Sequence, residues 1–370
     1  MNNNSKLNLF FITESIRPTL TGIGFYARSF INTLLETNKS SFSYSFIDYK
    51  STDYNSQHLL LLRNFFFKMK IYLWHNYLPL RLRFYKFNYI FNFNSIPHLI
   101  PYAQKEVYFV HDISLDLYPS THPLLRFVVH KLLFKRSLNQ AHIIVVNSKS
   151  TKNDLITYYN ILPKKIFIVS YAYKKFVGPE KNPNFNINRP FILNINTLEP
   201  RKNIVRLLKA FEELKNSSSI PHKLVICGKK GWKYQNIFTY LNSMKHKNDV
   251  IMMGYISENE KKYLLKRADF FVYPSLYEGY GIPVVEAMSY RCPVICSKTS
   301  NLASLGKDCA LLIDPKNTAD LRKAMQQLIQ DGNLKMQMRQ NGIKKTNQKH
   351  MAIQYESQIR SLSHFLQIYD

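Results

Sequence analysis

Acidic residues are scarce in this 370-residue sequence, where 24 Asp and Glu face 51 Lys and Arg for a formal net charge of +27. The shortfall is shared along the chain: residues 1–180 carry 22 basic and 9 acidic side chains, +13, and the remainder carries +14. That distribution excludes a basic tail grafted onto a neutral enzyme. It leaves nucleic acid, an anionic membrane surface and phosphorylated ligands as compatible partners. Cysteine is scarce too. Cys227, Cys292, Cys296 and Cys309 lie in or beside apolar runs, with no CxxC pair and no histidines at zinc spacing. A disulfide framework or zinc finger is therefore excluded, and buried free thiols in a reducing cytosol are expected. The longest apolar runs reach only ~10 residues, half of the ~20 that span a bilayer, so any membrane contact is expected to be peripheral. Met1 to Asn8 is polar and asparagine-rich, without a basic region leading into a cleavage site, so no signal peptide is expected.

What is present is a regular alternation of short β-rich apolar runs with helical patterns, the signature of parallel sheets in an α/β protein. In the first half the runs are Leu7–Ile12, Ser43–Ile47, Asn88–Phe93, Val107–Val110, His142–Val146 and Ile166–Val169. In the second they are Phe191–Ile195, Lys223–Cys227, Val250–Met253, Phe270–Tyr273, Pro293–Cys296 and Ala310–Ile313. The length suits two domains better than one core, and two sets of strands suggest two Rossmann-like domains. Residues 1–180 and 181–350 are the expected units, with 351–370 a C-terminal helix returning to the first. The polar, proline-containing stretch from Gly178 to Pro183 is the linker candidate. Ile204, Leu207, Leu208, Phe211 and Leu214 recur at helical spacing, and Ser257 with Glu260 forms a capping-box pattern.

One region of the first half is less usual. Between Leu59 and Phe93 stand Arg63, Lys68, Lys70, Arg81, Arg83 and Lys86, interleaved with aromatic and aliphatic residues and with no acid. Leu124 to Leu138, with Arg126, Lys131, Lys135 and Arg136, has the same character. Such segments suit either an anionic membrane interface or core helices with solvated basic faces.

Three motifs carry chemistry. Pro274 to Met288 contains a strand end, a turn with Gly279 and Gly281, and a helix start with Pro283 in its first turn. The glycines allow close approach of a ligand, and free amides at the helix start favour an anion such as a diphosphate. Glu278 and Glu286 fall on that turn and helix, either as acceptors for sugar hydroxyls beside a phosphate site or as exposed carboxylates on a capped helix. The second motif, Glu199-Pro200-Arg201-Lys202-Asn203, also lies between a strand and a helix. Cations at a helix start oppose its dipole, so an anionic ligand is expected to offset them, with Arg201 gripping oxygens in bidentate fashion and Lys202 as a point charge. The third, Gly228-Lys229-Lys230-Gly231-Trp232, ends a strand in a glycine turn, either beside a nucleotide base or as a simple left-handed turn.

Together these motifs resemble the donor domain of retaining GT-B glycosyltransferases of family four, the glycosyl transferases group 1, over about Phe191 to Ile329. The resemblance implies an α/β GT-B fold, with two Rossmann-like domains of parallel sheets facing across a cleft. It implies that Arg201 and Lys202 bind the donor diphosphate, Glu286 the ribose, and Glu278 with Gly279, Tyr280, Gly281 and Ile282 the donor sugar, with Gly228 in the nucleotide pocket. In the first half, Thr21-Gly22-Ile23-Gly24 is similar to the family's glycine-rich loop, so Gly22 and Gly24 would approach the donor phosphates. His111, in Val110-His111-Asp112, is similar to the histidine that faces the transferred sugar. The sequence departs from the family's pattern at Thr21 and Asn196, where glycine is usual, at Arg291, where a small residue is usual, and at Ser304, where glutamate is usual. There is no D-x-D, which fits metal-independent transfer with no cofactor beyond the nucleotide sugar. The variant is similar to mannosyltransferases of bacterial surface-polysaccharide assembly. It implies GDP-mannose as leading donor, with UDP- and dTDP-sugars open, and a lipid-linked glycan acceptor. The implied setting is the inner face of the cytoplasmic membrane, with no nucleic-acid partner. A GT-B epimerase and a catalytically silent GT-B subunit are the alternatives of the same fold.

Overall fold

In the computed structural model the apolar runs become two six-stranded parallel sheets. The structure describes residues 7–12, 22–37, 42–47, 73–171, 173, 175–183 and 190–368. The chain divides into two compact units. The first holds Met1–Asp116, Leu125–Ala172 and Ala352–Asp370, and the second holds Leu117–Leu124 and Tyr173–Met351.

The first sheet contains β1 (Leu7–Ile12), β2 (Phe42–Ile47), β3 (Tyr89–Asn92), β4 (Lys105–Val110), β5 (Ile143–Val146) and β6 (Ile166–Ile168), in the order β2-β1-β3-β4-β5-β6. A parallel pair cannot close through a hairpin, so helices lie between the strands. They are α1 (Gly22–Thr37), α2 (residues 73–82), α3 (Ser114–Leu117), α4 (Leu124–Gln140) and α5 (Lys149–Tyr159). Side chains alternate between faces along each strand. Leu7, Leu9 and Phe11 of β1 enter one core with Phe91 and Phe109, while Phe10 and Ile12 join Trp74 and Leu78 of α2 on the other side. The C-terminal helix adds Tyr355, Ile359, Leu362 and Leu366 to the first of these cores. Each fully buried leucine or isoleucine stabilises that docking by about 1.5–3 kcal/mol.

The second sheet contains β7 (Phe191–Ile195), β8 (Lys223–Cys227), β9 (Val250–Gly254), β10 (Phe270–Tyr273), β11 (Val294–Ser297) and β12 (Ala310–Ile313), in the order β12-β11-β10-β7-β8-β9. Its helices are α6 (Ile204–Ser217), α7 (Gln235–Ser243), α8 (Glu258–Arg267), α9 (Ile282–Ser289), α10 (Ser300–Gly306), α11 (Thr318–Gln330) and α12 (Gly332–Lys345), followed by α13 (Gln348–Ile368). Phe270 and Val272 face α6, packing with Leu207 and Phe211. Phe271 and Tyr273 face α9, packing with Val284 and Met288. Burial on both faces is why these strands read as continuous apolar runs.

Local signals are realised in the same unit. Ser257 Oγ accepts from the Glu260 amide at 3.3 Å while Glu260 Oε2 accepts from the Ser257 amide at 2.8 Å, closing the capping box of α8. Residues 178–183 run along α8, where Lys262 donates to the Gly178 carbonyl and Glu180 pairs with Lys266 and Arg267. Arg291 adopts φ 63°, a left-handed conformation that glycine takes at no steric cost. All four cysteines are buried and unbridged. Among the described residues no helix is long and apolar enough to cross a membrane. Arg63, Lys68 and Lys70 of the basic first-half region lie outside the described residues.

Candidate active site

In the second sheet, β7 and β10 pair side by side although two strands and three helices separate them in sequence. Strand order reverses between them, and at such a switch point the loops leaving the two carboxyl ends diverge and open a crevice for ligands. The two charged motifs follow these two strands. After β7, a 3-10 turn at Pro200–Lys202 carries Arg201 and Lys202, and Asn203 at φ 60° turns the chain into α6. The cations therefore stand just ahead of α6 rather than within its first turn. Asn203 fixes the loop, since its Nδ2 donates to the Pro274 carbonyl at 3.0 Å and to the Pro315 carbonyl at 2.7 Å. The Leu276 amide donates to the Arg201 carbonyl at 2.9 Å, and Arg201 Nη1 donates to the Tyr277 carbonyl at 2.7 Å. The loop after β10 is thereby locked to the loop after β7.

That locking brings Arg201, Lys202 and Glu278 into one buried ionic cluster. Lys202 Nζ lies 2.5 Å from Glu278 Oε1, and Arg201 Nη1 lies 3.3 Å from Glu278 Oε2. Tyr273, at the end of β10, donates its hydroxyl to Glu278 Oε1 at 3.1 Å and lies 3.1 Å from Lys202 Nζ. Arg201 Nη2 also pairs with Glu199 at 2.9 Å. Burial alone would push the Glu278 carboxyl up, but Lys202 and Arg201 outweigh it and hold the group below the usual range. Glu278 is thus a carboxylate at neutral pH. Glu199, more burdened by burial than helped by Arg201, is pushed up instead. The Glu278 amide donates to Ser300 Oγ at 3.0 Å, and Asn301 Nδ2 donates to the Tyr280 carbonyl at 2.7 Å, so α10 braces the turn.

The glycines have steric reasons. Gly281 caps α9 at φ 99°, and a Cβ there would meet Leu302 Cδ2 at 2.6 Å. Gly228 sits at φ 147°, and a Cβ would lie 1.6 Å from the Asn196 carbonyl oxygen. Gly279 is buried and Tyr280 and Ile282 are half-buried around the same turn. Trp232 donates from Nε1 to the Thr121 carbonyl at 2.6 Å and stacks on His122.

Glu286, in the second turn of α9, takes a different partner. Its Oε1 accepts from Lys261 Nζ of α8 at 2.6 Å, and Lys261 also pairs with Glu258 at 2.9 Å. Burial pushes the Lys261 ammonium down, but the two carboxylates outweigh it and hold it protonated.

In the first unit, Gly22 and Gly24 fall in the opening turn of α1, while Thr21 lies outside the described residues. His111 follows β4. Its Nε2 donates to the Phe93 carbonyl at 2.8 Å and its ring meets Tyr26 edge-on at 5.5 Å. Burial pushes its pKa below the usual histidine value, so the imidazole is neutral. The structure thus gathers Arg201, Lys202 and Glu278 in the second unit, gives Glu286 to Lys261, and carries Gly22, Gly24 and His111 on the first unit.

Sequence reasoning did not find Tyr273, Lys261 or Ser300. Tyr273 read as the last residue of an apolar strand, and Lys261 as one of several lysines on α8. A signal for Lys261 exists in its spacing of three from Glu258, which puts both on one helix face. Among the described residues no three His, Cys, Asp or Glu side chains gather as a metal site.

The model of the family "Glycosyl transferases group 1" matches residues 179–345. O-antigen chain mannosyltransferase B of Escherichia coli is 29% identical over 353 residues, covering 88% of this chain and 91% of its own. O-antigen chain mannosyltransferase RfbU of Salmonella typhimurium is 26% identical over 63% of each chain. The solved sucrose-phosphate synthase of Thermosynechococcus elongatus superposes with a TM-score of 0.69 at 16% identity, over 97% of this chain and 100% of its own. Residues 179–345 thus match the model of the glycosyl transferases group 1 family, in a chain with the GT-B fold.

Proposed function

We propose that this protein is a retaining hexosyltransferase that moves mannose from GDP-mannose to a lipid-linked oligosaccharide in O-antigen or capsule assembly. In this reading it works at the anionic inner face of the cytoplasmic membrane. The observation that carries the proposal is the Arg201–Lys202–Glu278 cluster at the switch point between β7 and β10. Two fixed cations there can take up the charge of a departing nucleoside diphosphate without a metal. Glu278, with Gly279 to Ile282, orients the donor sugar, and Glu286 receives the ribose hydroxyls. The acceptor hydroxyl attacks the anomeric carbon from the face the diphosphate leaves, and its proton passes to the departing phosphate oxygen. The anomeric carbon exchanges one C–O bond for another with its configuration kept. His111, a neutral imidazole, is the residue assigned to the transferred sugar in this scheme. The mannosyl choice is supported by the Escherichia coli relative, whose name gives that activity.

The test is turnover with a panel of nucleotide sugars and a lipid-linked acceptor, with the product anomer read by NMR. The proposal expects GDP-mannose to be used and an α-linked product from the α-donor. Use of a UDP- or dTDP-sugar alone would replace the donor assignment. No turnover with any donor would support a catalytically silent subunit instead, and an inverted product would overturn the stereochemistry.

A further inference from the structure

The first unit presents a surface that its own fold does not use. The exposed side of α2 carries Leu73, Tyr77 and Leu80 at helical spacing, with Leu73 62% exposed, and Phe84 just beyond is 87% exposed. On α4, His130, Phe134, Ser137 and Leu138 face inward. The opposite side presents Leu125, Val128 and Leu132, with Leu132 72% exposed. Leucine on the outside of a helix whose inner side is already packed has no folding role, since exposure forfeits its transfer free energy.

The two helices are neighbours. His98 and Leu99 are consecutive, and the His98 amide donates to Ser137 Oγ of α4 at 3.0 Å while the Leu99 amide donates to Asn76 Oδ1 of α2 at 2.7 Å. Leu99 itself is exposed between them. Charge around these apolar residues has a single sign. Arg81, Arg83 and Lys86 accompany α2, and Lys131, Lys135 and Arg136 are exposed on α4. No acidic residue occurs between Asp53 and Glu106, or between Asp116 and Asp154. Nucleic acid matches the charge but has no use for exposed leucine and phenylalanine. An anionic lipid interface matches both, with apolar side chains entering the acyl boundary and cations at the headgroups.

We infer that α2 and α4, joined by Leu99, form one face by which the first unit docks on an anionic bilayer. The inference deepens the membrane setting proposed above and rests on it for the presence of a bilayer, while its test contains no sugar nucleotide. The full chain is sedimented with phosphatidylcholine vesicles and with vesicles that also contain phosphatidylglycerol. Binding is expected only to the anionic vesicles and is weakened by salt. Each Lys or Arg near such a surface contributes about fivefold in affinity, so Lys131→Gln with Lys135→Gln is expected to lose about 25-fold. Leu132→Ser with Phe84→Ser is expected to lose at least tenfold. All four side chains are exposed, so each variant should keep the urea midpoint of the wild type, which separates loss of docking from loss of fold. Equal binding to both vesicle types overturns the inference. So does vesicle binding unchanged in both variants, and so does retention on duplex DNA without vesicle binding. Because no donor is present, failure here leaves the donor site untouched, and failure of donor turnover leaves a positive vesicle result standing.

Discussion

Replacing Lys202 by methionine removes the closer cation from a buried carboxylate while nearly preserving volume. In the folded chain Glu278 would keep Arg201 at 3.3 Å and the Tyr273 hydroxyl at 3.1 Å, but would lose its 2.5 Å partner. Breaking a buried pair from one side costs about 3–5 kcal/mol when the remaining charge is uncompensated. Arg201 compensates in part, so the lower end, about 3 kcal/mol, is expected. For a domain of this size each kcal/mol moves the melting midpoint by roughly 2–4 °C, giving a fall of about 6–12 °C. Glu278→Gln added to Lys202→Met neutralises the stranded carboxylate, and the double variant should regain most of that loss. Activity should behave differently. If Lys202 also carries leaving-group charge, both variants lose about 10²–10³ in kcat, as when one preorganised donor is removed from a transition state. Thermal melting followed by donor turnover on the same samples separates the two effects. A double variant as unstable as Lys202→Met would refute the ion-pair reasoning, and a stable double variant with full turnover would refute the charge role.

Gly228→Ala should cost several kcal/mol, because its Cβ would lie 1.6 Å from the Asn196 carbonyl; a urea midpoint equal to wild type would contradict this. Arg291→Gly should stabilise by up to about 1 kcal/mol by relieving the left-handed backbone at φ 63°, read as a raised melting midpoint with unchanged turnover. Lys261→Met frees the Glu286 carboxylate to rotate, so the donor KM should rise about tenfold with kcat little changed, and unaltered KM would remove Lys261 from the site. Asp269 is pushed up by burial, but His222 and Lys335 outweigh this and lower its pKa. Its contribution is therefore present above the unfolded value of about 4 and lost as pH falls through the folded value. The stability gap between wild type and Asp269→Asn should close below that range, and a gap independent of pH would contradict the pairing.

The sheets were legible in the sequence because parallel strands are buried on both faces and leave unbroken apolar runs. Phe270–Tyr273 and Lys223–Cys227 were readable to the residue for that reason. The chemistry of Arg201, Lys202 and Glu278 was legible as residue types at strand ends. Their mutual pairing was not, since it depends on β7 lying next to β10, and strand order is a property of the folded sheet. Lys261 with Glu286 is the same case, joining α8 to α9 across one sheet face. Arg201 and Lys202 were expected at the start of a helix, and the 3-10 turn that sets them ahead of α6 arises from Asn203 binding Pro274 and Pro315, a contact between distant loops. The basic helices could be read two ways from sequence. On α4 the structure packs one side and leaves a leucine-rich, basic side outside, a division that the spacing alone did not assign.

The central claim is that Arg201 and Lys202 bind the donor through its diphosphate. Calorimetric titration of wild type and Lys202→Ala with GDP and with guanosine tests it most directly. The account predicts that GDP binds wild type much more tightly than guanosine does, and that the difference shrinks about tenfold or more in Lys202→Ala. Equal affinity for GDP and guanosine, or a difference unchanged by the substitution, would contradict it.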